Sequence, residues 1–319
     1  MTTTSRASPS PPPGGRPPSG RRPGSQEAQA AKGRRTAVWI GLTAALCLLG
    51  VALVVRPQGG EGVRQDQVSA EAFVGGDLHS LVADPQRPGR LYVGGHAAVA
   101  TSADGGATWS PVDSLRGADA MGWAFGPDGI RVSGHPGLSR SSDGGRTFVP
   151  ASTGLPSTDV HAFGGGGSVL YGASPAVGVF ASADGGTTWE VRATATGQAF
   201  FGRILVDPSQ PDHLVAADVR AGPVESSDGG RSWNPLGGLA GATWVTWGAD
   251  RAILIASGPR GAARSSDGGR SWEPLPLPDG AVIVEASSGD DATIYAGGLV
   301  GTSARIWVSR DAGRTWNRP

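Results

Sequence analysis

Three observations predict an all-β protein, a six-bladed β-propeller of four-stranded antiparallel blades. First, the phrase Ser-x-Asp-x-Gly-x-Thr/Ser-Trp/Phe recurs six times, and its aspartates (Asp104, Asp143, Asp184, Asp228, Asp267, Asp311) are spaced by 39, 41, 44, 39 and 44 residues. A fixed period near forty marks one supersecondary unit repeated, each too small to bury its own face. Second, between the copies apolar residues alternate and turn signals recur every eight to twelve residues, as antiparallel blades require. Third, that period over residues 72–319 accommodates six units and no seventh.

The elements follow in chain order. Residues 1–36 form a Pro/Arg-rich tail; through Arg35 it holds seven prolines and seven basic residues against one acid, Glu27. Such a segment cannot offset its ordering entropy and is expected to be disordered. Residues 37–55 are nineteen positions without a charge, long enough for a membrane-spanning helix. Lys32, Arg34 and Arg35 precede the run, so the tail is expected in the cytoplasm and everything after Val55 outside. A cleaved signal peptide is the alternative, with Gly50-Val-Ala52 as the small-residue site. The long basic region and the length of the run favour an anchor in the cytoplasmic membrane. Residues 56–71 read as a linker.

The repeat region begins at residue 72. In the first unit the expected strands are 78–83, 90–95, 98–102 and 108–112. Five more units begin near Ala120, Val160, Phe200, Ala242 and Ala281. The last unit stops almost at its final phrase, so residues 72–74 are expected to supply a closing strand.

Each phrase reads as a tight turn between the third and fourth strands. The glycines supply positive-φ positions, and the aspartate accepts hydrogen bonds from backbone N–H groups of its own turn. The aromatic residue covers the junction between neighbouring sheets. A residue type present in every unit is structural, so the six aspartates are read as staples rather than ligands or acids.

Composition narrows the function classes. The only cysteine, Cys47, lies in the uncharged run, so the outer domain has no disulfide. From Gln67 onward eighteen arginines face twenty-four acidic residues, and no basic stripe with interleaved aromatics occurs. Nucleic acid is therefore not expected as a partner.

Candidate function lies on the face opposite the repeated turns. Asp77-Leu-His79, Asp119-Ala-Met121 and Asp159-Val-His161 occupy matching inner-strand starts in units one to three, and His96 and His135 each stand eight residues before their turn aspartate. These residue types stop after the third unit while the turns continue. Imidazoles with carboxylates and a thioether suit a divalent metal, although no short paired spacing such as His-x-x-x-His occurs and no metal is assigned. Asp77, Asp119, Asp159 and Glu285 could also converge as the carboxylates of a glycosidase. His213 lies in a fourth-unit turn and reads as incidental.

The repeated phrase resembles the Asp-box (BNR) repeat of sialidases, sortilin-type receptors and photosystem assembly propellers. The strings Asp77-Leu-His79-Ser-Leu81, Asp119-Ala-Met121-Gly-Trp123, Ser133-Gly-His135-Pro-Gly137 and Asp159-Val-His161-Ala-Phe163 are similar to those of bacterial membrane-anchored Asp-box proteins loosely labelled glycosyl hydrolases. A sialidase would further imply an arginine triad, a tyrosine nucleophile backed by a glutamate, an aspartate acid/base and an Arg-Ile-Pro string. This chain has no Arg-Ile-Pro, and its three tyrosines, Tyr92, Tyr171 and Tyr295, each follow Leu or Ile in an expected second strand. Sialidase chemistry is not expected. The preferred reading is a recognition or assembly platform for a glycan or protein partner outside the cell. A glycoside hydrolase or a metal-binding propeller using the His/Asp mouth is the alternative.

Overall fold

The computed structural model describes residues 68–319. The expected tail at 1–36, the helix at 37–55 and most of the linker lie outside the described residues. Within them the chain is all-β apart from one 3-10 turn, Asp113–Leu115. No helix among the described residues is long and apolar enough to cross a membrane.

The strands form four four-stranded sheets and one eight-stranded sheet. The eight-stranded sheet consists of two antiparallel meanders joined where Ala162–Gly166 runs parallel to Phe200–Asp207, through Ala162↔Gly202 and Phe163↔Arg203. Each meander leads with an inner strand: Leu78–Ala83, Asp119–Gly126, Ala162–Gly166, Phe200–Asp207, Trp244–Trp247 and Ala281–Ala286. The last meander takes its outermost strand from the start of the domain. Ala72–Phe73 pairs antiparallel with Ser303–Ser309, through Ala72↔Ala304.

The repeated phrases form six near-identical turns. In the first, Ser102 Oγ donates to Asp104 Oδ1 and accepts the Gly106 N–H, both at 2.8 Å. Asp104 in turn accepts from the Thr108 N–H at 2.9 Å and the Thr108 hydroxyl at 2.5 Å. The same four contacts recur around Asp143, Asp184, Asp228, Asp267 and Asp311. The serines are buried and the aspartates lie at the surface, so the hydroxyl satisfies the inner backbone and the carboxylate the outer. Both glycines of the first turn have positive φ, 72° and 97°. The sixth turn places Ala312 at the first of these positions, at φ 61°.

Each turn abuts the hairpin between the first and second strands of its own sheet. Gly105 N–H donates to Gly89 O at 2.8 Å, and Gly185, Gly229 and Gly268 repeat the contact with Ser168, Asp212 and Ala252. The two kinds of turn therefore share one face, and the starts of the inner strands lie on the other. Trp272 reaches back to the preceding sheet and donates from Nε1 to Leu236 O at 3.0 Å. Deeper in, Trp123 is fully buried, stacks on Tyr92 at 5.1 Å and donates to Ser80 Oγ at 2.9 Å. Ser80 passes a hydrogen bond to Ala120 O, also at 2.9 Å, tying the first inner strand to the second.

Candidate functional site

A local break in strand pairing begins the site. Leu78 pairs with Gly95 and Ser80 with Gly94, which leaves His79 as the extra residue of a bulge. A bulge turns a side chain away from regular alternation, and here the His79 imidazole meets the neighbouring sheet: its Nδ1 is hydrogen-bonded to Asp119 Oδ1. Asp119 opens the second inner strand and sits opposite His135 in register.

His135 links two carboxylates. Its Nδ1 is 3.0 Å from Asp119 Oδ2 and its Nε2 is 2.5 Å from Asp159 Oδ1. His161 Nε2 approaches the same Asp159 oxygen at 2.8 Å. His96 stands at the exposed rim, 3.7 Å from Asp119 Oδ2. Phe201, from the fourth inner strand, lies edge-on to both His79 and His161, with centroids at 5.6 and 6.1 Å. Three consecutive meanders thus supply an imidazole–carboxylate chain, and the next meander supplies an aromatic wall. Beside it, a cavity of about 200 Å³ lies between the 3-10 turn and the second sheet, with Asp119, His135 and Ser152 in its lining.

The electrostatics follow from burial and partners. Burial opposes the charge on Asp119, but the hydrogen bonds and charges of His79 and His135 outweigh it and hold the carboxyl below its usual range. Burial also disfavours charge on His135, yet Asp119 and Asp159 together raise its pKa. His161 is more deeply placed, and burial lowers its pKa despite the pull of Asp159. Paired imidazoles and carboxylates at a concave mouth can bind a ligand or hold a cation. Asp119 is displaced away from the raised pKa that the proton-donating acid of a glycosidase pair needs.

Of the residues expected at this mouth, His79, His96, Asp119, His135, Asp159 and His161 converge. Asp77 is exposed and forms none of these ion pairs. Met121 is buried at the bulge of its own strand. Glu285 belongs elsewhere. It lies one residue from the end of its inner strand, fully buried, and accepts from Arg203 Nη1 at 2.6 Å and Trp244 Nε1 at 3.1 Å. It lines a cavity of about 300 Å³ together with Arg203, Trp247 and Arg251, near the ends of the inner strands on the turn face.

Sequence reasoning also missed a second charged group. Asp207 accepts from the Arg251 guanidinium and the Ser209 N–H, and His213 spans from Glu225 Oε1 at 2.7 Å to Asp207 Oδ2 at 3.9 Å. His213 also lies 6.0 Å from the Trp247 ring, so it belongs to a charged cluster rather than standing alone in its turn. The available signal was spacing: Asp207 and Arg251 stand 44 residues apart, one period.

No protein-family model matches the chain, and no curated protein sequence matches it. Solved structures do. The GH74 xyloglucanase from Xanthomonas campestris superposes with a TM-score of 0.53 at 17% identity, over 79% of this chain and 46% of that one. YCF48 from Cyanidioschyzon merolae gives 0.50 at 17% identity, over 77% and 86%. The gluconolactonase XC5397 from Xanthomonas campestris gives 0.56 at 12% identity, over 80% and 99%. The fold is a β-propeller. At such identities the likeness extends to the propeller scaffold alone, and the chain spans less than half of the GH74 enzyme it matches.

All three tyrosines of this propeller are buried in second strands. Burial, reinforced by the charge of Asp212, pushes the Tyr171 hydroxyl up to about 12, which is the wrong direction for a nucleophile.

Proposed function

We propose that this domain is a six-bladed Asp-box propeller that serves as a recognition platform, with its working surface at the His/Asp mouth of blades one to three. One observation carries the reading. Four of the five histidines converge with Asp119 and Asp159 on the face away from the repeated turns. Structural residues recur in every blade, whereas this set is confined to three, so it serves a local task. Both carboxylates are engaged by imidazoles, which favours binding over hydrolysis.

The test has two arms. Xyloglucan, aryl glycosides and an activated sialoside are offered as substrates, and none is expected to turn over. Soluble oligosaccharides and peptides are then screened by thermal shift. A ligand bound at 100 times its Kd raises stability by about 2.7 kcal/mol, and that gain is expected to vanish in His135→Ala. Turnover abolished by Asp119→Asn replaces the platform with a glycan hydrolase. Stabilisation that persists in His135→Ala places recognition elsewhere on the ring.

A further inference from the structure

His135 stands between two carboxylates. Its two ring nitrogens both approach carboxylate oxygens, Nδ1 to Asp119 at 3.0 Å and Nε2 to Asp159 at 2.5 Å. A neutral imidazole donates from one nitrogen only and offers a lone pair at the other. Asp159 Oδ1 meets a second ring nitrogen, His161 Nε2, at 2.8 Å. With the His135 proton on Nδ1, facing Asp119, three electron-rich atoms crowd one small space. Such a cluster is resolved either by extra protons or by a cation seated among the three atoms.

We propose that His135 Nε2, His161 Nε2 and an Asp159 oxygen bind one divalent first-row transition-metal ion. This deepens the recognition reading, on which it rests, by naming what the mouth holds. Three features support it together. The donor atoms all lie within 4.8 Å of one another. A tetrahedral ion with bonds of about 2.0–2.1 Å separates its donors by about 3.4 Å, so the two short contacts need to open by less than about 1 Å. His135 and Asp159 stand at the exposed rim, where such a shift disturbs no core packing.

The second feature is Asp119. Metal-bound histidines characteristically donate their other N–H to a carboxylate, which fixes the tautomer and aims the lone pair. Asp119 Oδ2 stands in that position behind His135 Nδ1, and its other oxygen is held by His79. This outer layer is built from two further elements, Asp119 from the second inner strand and His79 from the first. A random contact of surface groups would have no such support.

The third feature is donor chemistry. Two imidazoles and one carboxylate suit zinc, nickel, copper(II) or iron(II). Calcium and magnesium require mostly oxygen donors, and copper(I) favours sulfur. Three protein donors also leave a coordination position free for an outside ligand, the arrangement of metal sites that bind or transform rather than merely brace.

The experiment uses the untagged full-length chain in mild detergent, stripped with chelator and desalted. Zinc chloride is titrated calorimetrically, and retained zinc is measured by mass spectrometry after gel filtration. The expected result is one zinc per chain. Asp159→Ala and His161→Ala should lose it, and Asp119→Asn should weaken it about 10–100-fold with stoichiometry unchanged. His213→Ala, whose imidazole belongs to the other cluster, should bind as wild type does, and magnesium chloride should give no heat. Absence of zinc uptake by folded wild-type protein overturns the proposal, as does uptake that survives both Asp159→Ala and His161→Ala. Thermal-shift ligands that act through His135 in protein that takes up no zinc overturn the metal site while leaving the platform standing. Glycan turnover abolished by Asp119→Asn, alongside intact zinc binding, does the reverse.

Discussion

Asp119 and His135 are paired twice. Their backbones face each other across the second sheet, and Asp119 Oδ2 accepts from His135 Nδ1 at 3.0 Å. The shared register keeps the imidazole from turning away, so the mouth is organised by strand pairing before any ligand arrives. His79 adds a contact from the first sheet and Asp159 one from the loop before the third inner strand. Rigid placement of this kind reduces the ordering cost that a ligand must overcome.

The repeated turns should make stability sensitive to acid. The Thr188 hydroxyl and N–H, with Ser182, lower the Asp184 carboxyl to about 2, and Asp267 and Asp311 are likewise lowered to about 2. A folded-state pKa below the unfolded value of 3.8 adds stability above that value, and the addition is lost as pH falls through about 2. Asp184→Asn is therefore expected to melt below wild type near neutral pH. The gap in melting temperature should narrow as pH drops from about 4 towards 2. A gap that widens in acid contradicts this account.

Ala312 marks the weakest of the six turns. Among the described residues it alone has positive φ without being glycine, at 61°. An L-residue in that region costs about 1–2 kcal/mol, whereas glycine carries about 0.4–1 kcal/mol of extra unfolded-state entropy. Ala312→Gly should therefore stabilise the domain by up to about 1 kcal/mol, read from chemical denaturation. Ala→Gly at the exposed Ala103, in the first turn, provides the control and should give no gain.

Glu285 and Arg203 form an ion pair near the ends of the inner strands. Burial pushes the Glu285 carboxyl up, while Arg203 and the Trp244 N–H draw it back. Removing one partner from a buried pair costs about 3–5 kcal/mol, because the other charge remains uncompensated. Arg203→Ala should show that loss at neutral pH. A carboxyl with a raised folded pKa is favoured when protonated, so its contribution is present at low pH and lost as pH rises through the folded value. The deficit of Arg203→Ala should accordingly shrink in mild acid, and Arg203→Ala/Glu285→Gln should show no such recovery. Denaturant midpoints between pH 4 and 8 decide it.

Much of the scaffold was legible because its chemistry is local. Ser102, Asp104, Gly106 and Thr108 satisfy one another within seven residues, so their order in the chain specifies the turn. The period added long-range information: residues one repeat apart occupy equivalent places in adjacent sheets. His79 and Asp119 are 40 residues apart and touch, and Trp244 and Glu285 are 41 apart and touch. Read in that way, the spacing of Asp207 and Arg251 would have exposed the His213 cluster as well. The settings of Asp77, exposed, and Met121, buried, were not legible. Met121 sits where its inner strand bulges, and a bulge leaves no mark in the pattern of apolar residues.

The sequence by itself determined the repeating unit, the turn chemistry and the face on which the non-repeating polar residues gather. These depend on composition at fixed spacing, and neighbouring groups in the chain satisfy them. Tertiary structure alone decided which groups pair: His135 with two carboxylates, Glu285 with Arg203 at the other end, His213 with Glu225 and Asp207. The physical reason is distance. A hydrogen bond discriminates over tenths of an ångström, while a repeat period specifies only which sheets are neighbours, and the bulges settle the rest.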